Sequence, residues 1–214
     1  MGTYAAVVLA GGAARRMGGV DKPGLPVGGR PMRDRVLAAV SDATPRVLVG
    51  PADVVPDGVR VTREDPPGGG PVAATAAGLA LLDPDTALVT LLAADLPLLT
   101  RSAIGELLNH LAPTGRVESV DPVVGPGPER PDGACFVDGD GRRQSLCGVW
   151  RVAALRAGLD RLTVERGGSL SGAPVRALLA GLVVREVPWS GDGPPPWFDC
   201  DTDEDVRRAE EWAR

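Results

Sequence analysis

Lysine, arginine and aspartate stand in this chain where they can handle a polyphosphate. Gly11-Gly12 follows a short apolar run, and Arg15, Arg16, Gly18, Gly19 and Lys22 come next, before Pro23 and Pro26. Glycines let backbone approach a ligand closely with its N–H groups turned inward. Arg15, Arg16 and Lys22 add positive charge beside that loop, which suits an anionic group. Further along, Asp65 precedes Pro66-Pro67-Gly68-Gly69-Gly70-Pro71, and Asp95 follows a strongly apolar stretch. A cationic, backbone-lined loop of this kind suits a polyphosphate, and the glycine run after Asp65 could bring further amides to an anion.

Neither of the two common phosphate fingerprints accounts for the first stretch. A Walker loop needs Lys directly after its last Gly, whereas Gly18-Gly19 is followed by Val20-Asp21. The dinucleotide pattern G-x-G-x-x-G fails because Gly11 and Gly12 are adjacent. A bland alternative is a tight strand-to-loop turn with solvated basic side chains. Asp95 has one too, as a simple turn or helix cap, and Asp65 as the start of a flexible linker.

The elements that must position these residues alternate between strand and helix. Ala5–Ala10 holds no polar side chain and reads as a buried strand. Pro31 suits the first position of a helix carrying Met32, Val36, Leu37 and Val40. Arg46–Val49 and Val59–Thr62 read as strands, Pro71–Leu82 as an Ala-rich helix, and Ala87–Ala94 as a central strand stopped by Asp95 and Pro97. Thr100 caps a helix in which Ile104, Leu107, Leu108 and Leu111 share a face. Beyond it, residues 113–132 are rich in Pro and Gly and read as a loop. Strands at Gly133–Val137 and Gln144–Trp150 are joined by an Asp138–Gly141 turn. Helical segments at Val152–Leu159 and Val175–Leu182, a strand at Val183–Val187, and a last helix opened by a Thr202/Asp205 capping box complete the chain.

This pattern implies one α/β domain, a Rossmann-like three-layer sandwich with a mainly parallel central sheet. Residues 1–112, with the glycine loop, Asp65 and Asp95, would form one half of it and 133–214 the other, with the 113–132 loop between them. In such sheets ligands bind beyond the carboxyl ends of the strands, so Asp95 and the loop after Ala10 should face one crevice.

Composition narrows the possibilities. With 214 residues the chain can bury a full core. A net charge of −5 argues against a general nucleic-acid binder. No apolar run approaches membrane-spanning length, and residues 1–4 lack the basic start of a signal peptide, so a cytoplasmic setting is expected. Cys135, Cys147 and Cys200 are widely spaced, as buried thiols of a reducing compartment would be. His110, the single histidine, leaves little room for a catalytic triad or a histidine-rich metal site, and is expected at a surface or boundary.

The stretch Leu9–Lys22 resembles the signature of nucleotidyltransferases that pair L-A-G-G with R-M-G and a lysine shortly after. Within that group it is most similar to the MobA-like family of molybdenum cofactor guanylyltransferases. Asp65 with Gly70-Pro71-Val72-Ala73-Ala74 resembles the family's Asp and G-P-L-A-G stretch. Asp95-Leu96-Pro97 resembles its D-x-P, and Asp201–Asp205 its closing T-P-E-D with Asp203 in place of proline. The resemblance is close over residues 5–100 and looser beyond.

It implies transfer of GMP from GTP to the phosphate of molybdopterin with release of pyrophosphate, dependent on Mg²⁺. Leu9, Ala10, Gly11 and Gly12 would line the nucleotide, Lys22 and Asp65 would bind it, and Asp95 would hold both nucleotide and Mg²⁺. Lys22 and Arg16 would offset triphosphate charge. Contacts with other proteins of molybdenum cofactor synthesis or with acceptor proteins would follow. The family carries a nucleotide-contacting Asn at the end of its second strand where this chain has Gly50, so that contact is missing or supplied elsewhere. Arg142, Arg143 and Arg151 are either acceptor-phosphate contacts or solvated arginines. Other readings are a sister enzyme using CTP, one using an acceptor such as phospholactate, a sugar-nucleotide synthase, and a non-catalytic nucleotide-binding subunit.

Overall fold

The computed structural model describes residues 4–11, 22–52, 55–112 and 130–214; Gly12, Arg15, Arg16 and residues 113–129 lie outside them. The apolar run after Tyr4 forms β1 (Ala5–Leu9), buried at every position. A strand buried on both faces belongs at the centre of a parallel sheet, and β1 pairs in parallel with β4 (Arg46–Val49) on one side and β6 (Leu88–Ala93) on the other. Outside β4 lies β5 (Val59–Thr62). On the far side of β6 come β8 (Arg143–Arg151), β7 (Gly133–Val137) and β9 (Val184–Pro188). The seven strands run in the order β5-β4-β1-β6-β8-β7-β9, and β8 alone is antiparallel to its neighbours.

Alternation along β1 sorts its side chains into two cores, because successive strand residues point to opposite faces. Ala6 and Val8 pack in one cluster with Val36, Leu37, Ile104 and Leu107, from α1 (Met32–Ala39) and α3 (Arg101–Asn109). Ala5, Val7 and Leu9 pack in the other with Val72, Leu79, Leu155 and Leu159, from α2 (Pro71–Leu79) and α4 (Val152–Glu165). Helix layers therefore cover both faces of the sheet, as the sequence pattern implies. α2 lies so close that a methyl on Gly78 would stand 2.5 Å from Val7 Cγ1.

Several boundaries differ from expectation. Pro31 occupies the N-cap position of α1 rather than its first turn. α2 stops at Leu79 because Leu81 and Leu82 turn tightly, their N–H groups bonding to Gly78 and Leu79 carbonyls. α4 runs six residues past Leu159 to Glu165. α5 is one turn, Val175–Leu178, and not a helix to Leu182. Thr100 does cap α3, accepting from Ala103 N at 3.2 Å. The Thr202/Asp205 capping box opens α6 (Asp203–Trp212).

A third, smaller cluster matters most for the site. Val27, Met32, Leu98, Cys200 and Ala209 pack together, with Phe198 and Val206 against them. This cluster joins the hairpin β2 (Pro26–Val27) and β3 (Arg30–Pro31) to the segment after β6 and to α6. Arg35 reinforces it, donating to the Pro97 carbonyl at 2.8 Å and to that of Val27 at 3.2 Å.

Candidate active site

β1 and β6 meet where chain connections diverge to opposite sides of the sheet. A crevice forms beyond their carboxyl ends in open α/β proteins. Asp95 lies two residues past β6, and Lys22 begins a short 3₁₀ turn, Lys22–Gly24, that leads into the hairpin. The third cluster docks these segments together. Lys22 Nζ stands 2.6 Å from Asp95 Oδ2 and 2.6 Å from Asp201 Oδ1. Asp95 is thus no helix cap; that task falls to Thr100, and the Asp95 side chain engages Lys22.

Asp201 arrives through the segment Asp199-Cys200-Asp201, in which Cys200 N donates to the Asp95 carbonyl at 3.3 Å. Cys200 is buried in the third cluster, while Asp201 engages Lys22 and Asp199 lines the adjoining pocket. Burial on its own lowers the Lys22 pKa, but hydrogen bonds and charge from Asp201 and Asp95 outweigh it and push it up. The ammonium is therefore held charged. Asp199 is shifted upward, first by desolvation and then by the negative charge of Asp201 and Asp95, with Lys22 opposing. Among the described residues, Asp95, Asp199 and Asp201 gather around the Lys22 ammonium.

An open pocket of about 390 Å³ adjoins this cluster, lined by Asp95, Asp199, Gln144, Ser145 and Trp197 among others. β8 supplies Gln144 and Ser145 because its reversed direction brings its first residues to the carboxyl end of β6. The same reversal removes Arg151 from the crevice. It pairs with Leu88 at the opposite end of β6, and its guanidinium donates to the Pro131 carbonyl at 2.9 Å. Arg143 is bound to Glu186 at 2.7 Å on the exposed surface.

At the carboxyl end of β1, Leu9 and Ala10 are buried and Gly11 is exposed. Ala10 N donates to the Val49 carbonyl at 2.7 Å, and Ala94 N to that of Leu9 at 3.0 Å. Gly50 stands where the resemblance implies a nucleotide-contacting Asn. Its φ is +142°, and a methyl there would stand 2.7 Å from the Ala10 carbonyl carbon. No side chain fits at that point without moving β1. Asp65 is exposed, and its neighbour Glu64 is the buried carboxylate. Glu64, Asp199 and the pairing of Asp201 with Lys22 escape a reading of sequence. The alternating D-C-D around a small apolar residue is the one signal that points to the latter two.

The mixed sheet that carries this site has the fold of a solved cytidylyltransferase and of other proteins of known structure. Solved structures agree on the fold. Molybdopterin-guanine dinucleotide biosynthesis protein A from Archaeoglobus fulgidus matches with a TM-score of 0.68 at 19% identity, covering 97% of both chains. The 2-C-methyl-D-erythritol 4-phosphate cytidylyltransferase of Thermus thermophilus matches with a TM-score of 0.66 at 19% identity, covering 99% of both. The molybdenum cofactor guanylyltransferase of Nitrobacter hamburgensis is 30% identical over 97% of this chain and 93% of its own. The model of the MobA-like NTP transferase domain matches residues 6–183, and the chain belongs to that family.

Proposed function

We propose that this protein transfers GMP from GTP to the terminal phosphate of molybdopterin. The observation that carries this reading is the charged Lys22 bound to Asp95 at the mouth of the β1–β6 crevice, beside a pocket large enough for a second substrate. Full-length similarity to a protein named molybdenum cofactor guanylyltransferase supports the choice of substrates. Free cysteines at 135, 147 and 200 support a reducing, cytoplasmic setting.

A phosphate monoester is largely dianionic near neutral pH, since its second pKa is about 6. Its oxygen attacks the α-phosphorus of GTP, the bond from that phosphorus to the bridging oxygen of the β-phosphate breaks, and pyrophosphate leaves. No general base is needed. The obstacle is bringing anion to anion, so positive charge and oriented backbone dipoles supply most of the acceleration. Lys22 neutralises charge on the triphosphate, joined by Arg16 and the Gly11-Gly12 amides. Asp65 and the backbone of Leu9 and Ala10 line the nucleotide. Asp95, Gln144 and Ser145 border the acceptor pocket.

The donor set fits Mg²⁺. Asp95 and Asp201 already share one cation, and Asp199 is pushed upward first by desolvation and then by their charge, the part a second cation would relieve. Among the described residues no three metal-binding side chains are gathered into a ready cage. Mg²⁺ is commonly held by one or two carboxylates plus substrate phosphates. Asp95 would hold the ion with Asp201 or Asp199, and the ion would supply charge neutralisation on the phosphates.

A panel of the four nucleoside triphosphates with molybdopterin, with and without Mg²⁺, tests the proposal through pyrophosphate release. GTP with Mg²⁺ should exceed every other combination. A tight GTP complex without pyrophosphate release would instead identify a binding module.

A further inference from the structure

Glu64 is the one buried charged residue among the described residues, at 8% exposure. The other two buried polar residues, Thr75 and Thr90, pair with the carbonyls of Pro71 and Ala5. Glu64 Oε1 accepts from Gly68 N at 3.0 Å, and this is its only hydrogen bond within the described residues. No arginine or lysine among those residues forms an ion pair with it. Its second oxygen has no donor among the described residues and is not sealed from solvent, so a ligand can reach it. Holding Gly68 N–H alone would need only a neutral acceptor.

Its position indicates what completes it. Glu64 sits in the seam between Gly11, at the tip of β1, and the glycine-rich loop that leads into α2. A methyl on Gly11 would stand 3.4 Å from Oε1 and 3.6 Å from Oε2, and one on Gly69 would stand 3.7 Å from Cγ. Both flanking residues lack side chains; Gly69 is buried but Gly11 is exposed, so the carboxylate is open toward the Gly11 side at the end of β1.

We infer that Glu64 reads the nucleobase, its carboxylate accepting from the N1–H and 2-amino groups of guanine. This rests on GTP being the donor substrate. An ionised carboxylate only accepts, and Oε1 retains acceptor capacity beyond Gly68. Guanine presents two adjacent donors on its pairing edge. Adenine and cytosine offer one amino group beside a ring nitrogen acceptor, and uracil one N–H between two carbonyls. Each of these would set a lone pair against a carboxylate oxygen. The assignment is also compatible with Gly50: no side chain is possible there, and Glu64 follows the neighbouring strand β5, whose Thr62 carbonyl accepts from Gly50 N at 2.9 Å.

The test is direct binding of GTP, ITP, ATP, CTP and UTP to the full chain and to E64Q and E64D, with melting temperatures as a check on folding. ITP lacks only the 2-amino group. The native chain should bind GTP about tenfold or more tighter than ITP, the range expected of a hydrogen bond to a charged group. E64Q keeps an oxygen for Gly68 N–H but turns a donor toward the base, and its GTP-to-ITP ratio should fall close to one. E64D, still acceptor-only, should retain the preference. An unchanged ratio in E64Q, equal weakening of all five nucleotides, or a folded E64D without the preference overturns the inference while leaving GTP as donor. A native chain that binds GTP no better than the other triphosphates overturns both.

Discussion

The Lys22 ammonium bonds to Asp95 Oδ2 at 2.6 Å although 73 positions separate the two residues. The pair is partly exposed, its side chains at 19% and 22% of full accessibility, so its direct contribution to stability is small. Its consequence is preorganisation: a cation and a strand-end carboxylate are fixed before any substrate arrives.

Replacing Lys22 by Ala should lower the rate of pyrophosphate release by roughly 10²–10³-fold, the range for loss of one charge-stabilising donor. The melting temperature should change little. A variant with native turnover would remove Lys22 from the reaction. The raised pKa means the ammonium's stabilising effect is complete below pH 10.5 and fades only as pH climbs through its higher folded value. No alkaline loss of activity between pH 7 and about 10 should therefore trace to Lys22.

Asp95→Asn should abolish the dependence of turnover on Mg²⁺ along with most of the turnover itself. A Mg²⁺ titration of initial rates measures this. An unchanged half-saturating Mg²⁺ concentration would place the ion elsewhere.

Gly50→Ala forces a methyl against the Ala10 backbone in a left-handed conformation. Such strain costs about 1–3 kcal/mol, seen as a melting temperature several degrees lower. Weaker nucleotide binding should accompany it, because Ala10 leads directly into Gly11.

Asp199→Asn gives a pH-dependent signature. The folded-state pKa of Asp199 lies above 3.8, so its contribution to stability is complete below pH 3.8 and is lost as pH rises through the folded value. At pH 8 the ionised, desolvated carboxylate faces Asp201 and Asp95. The Asn variant should then melt higher than the native chain at pH 8, with the gap closing toward pH 4. A gap of equal size at both pH values would exclude titration as its origin.

The thiols should be silent in the native state. Burial pushes Cys135 up to about 11 and Cys147 and Cys200 to about 12, leaving almost no thiolate at pH 8. A disulfide reagent should therefore count none in buffer and three in denaturant.

Local chemistry makes much of this molecule readable. The unbroken apolar run of β1, the Ile104/Leu107 stripe, and the Thr100 and Thr202 caps each encode their element within a few residues. Lys22 and Asp95 are likewise legible, each closing a recognisable segment. What escapes depends on distant partners. Nothing within residues 143–151 announces that β8 runs against its neighbours, yet that direction decides that Gln144 borders the pocket and Arg151 does not. Glu64 looks like a solvated neighbour of Asp65 until the loop at Gly68 folds back over it. Asp201 reaches Lys22 only because Cys200 and Ala209 share a cluster with Val27 and Met32.

The bond between Lys22 and Asp201 joins points 179 positions apart. That clasp is held by the docking of Cys200 and Ala209 against Val27 and Met32. A disturbance far from Lys22 in sequence, anywhere in that small apolar cluster, therefore has a direct route to the charge balance around Asp95.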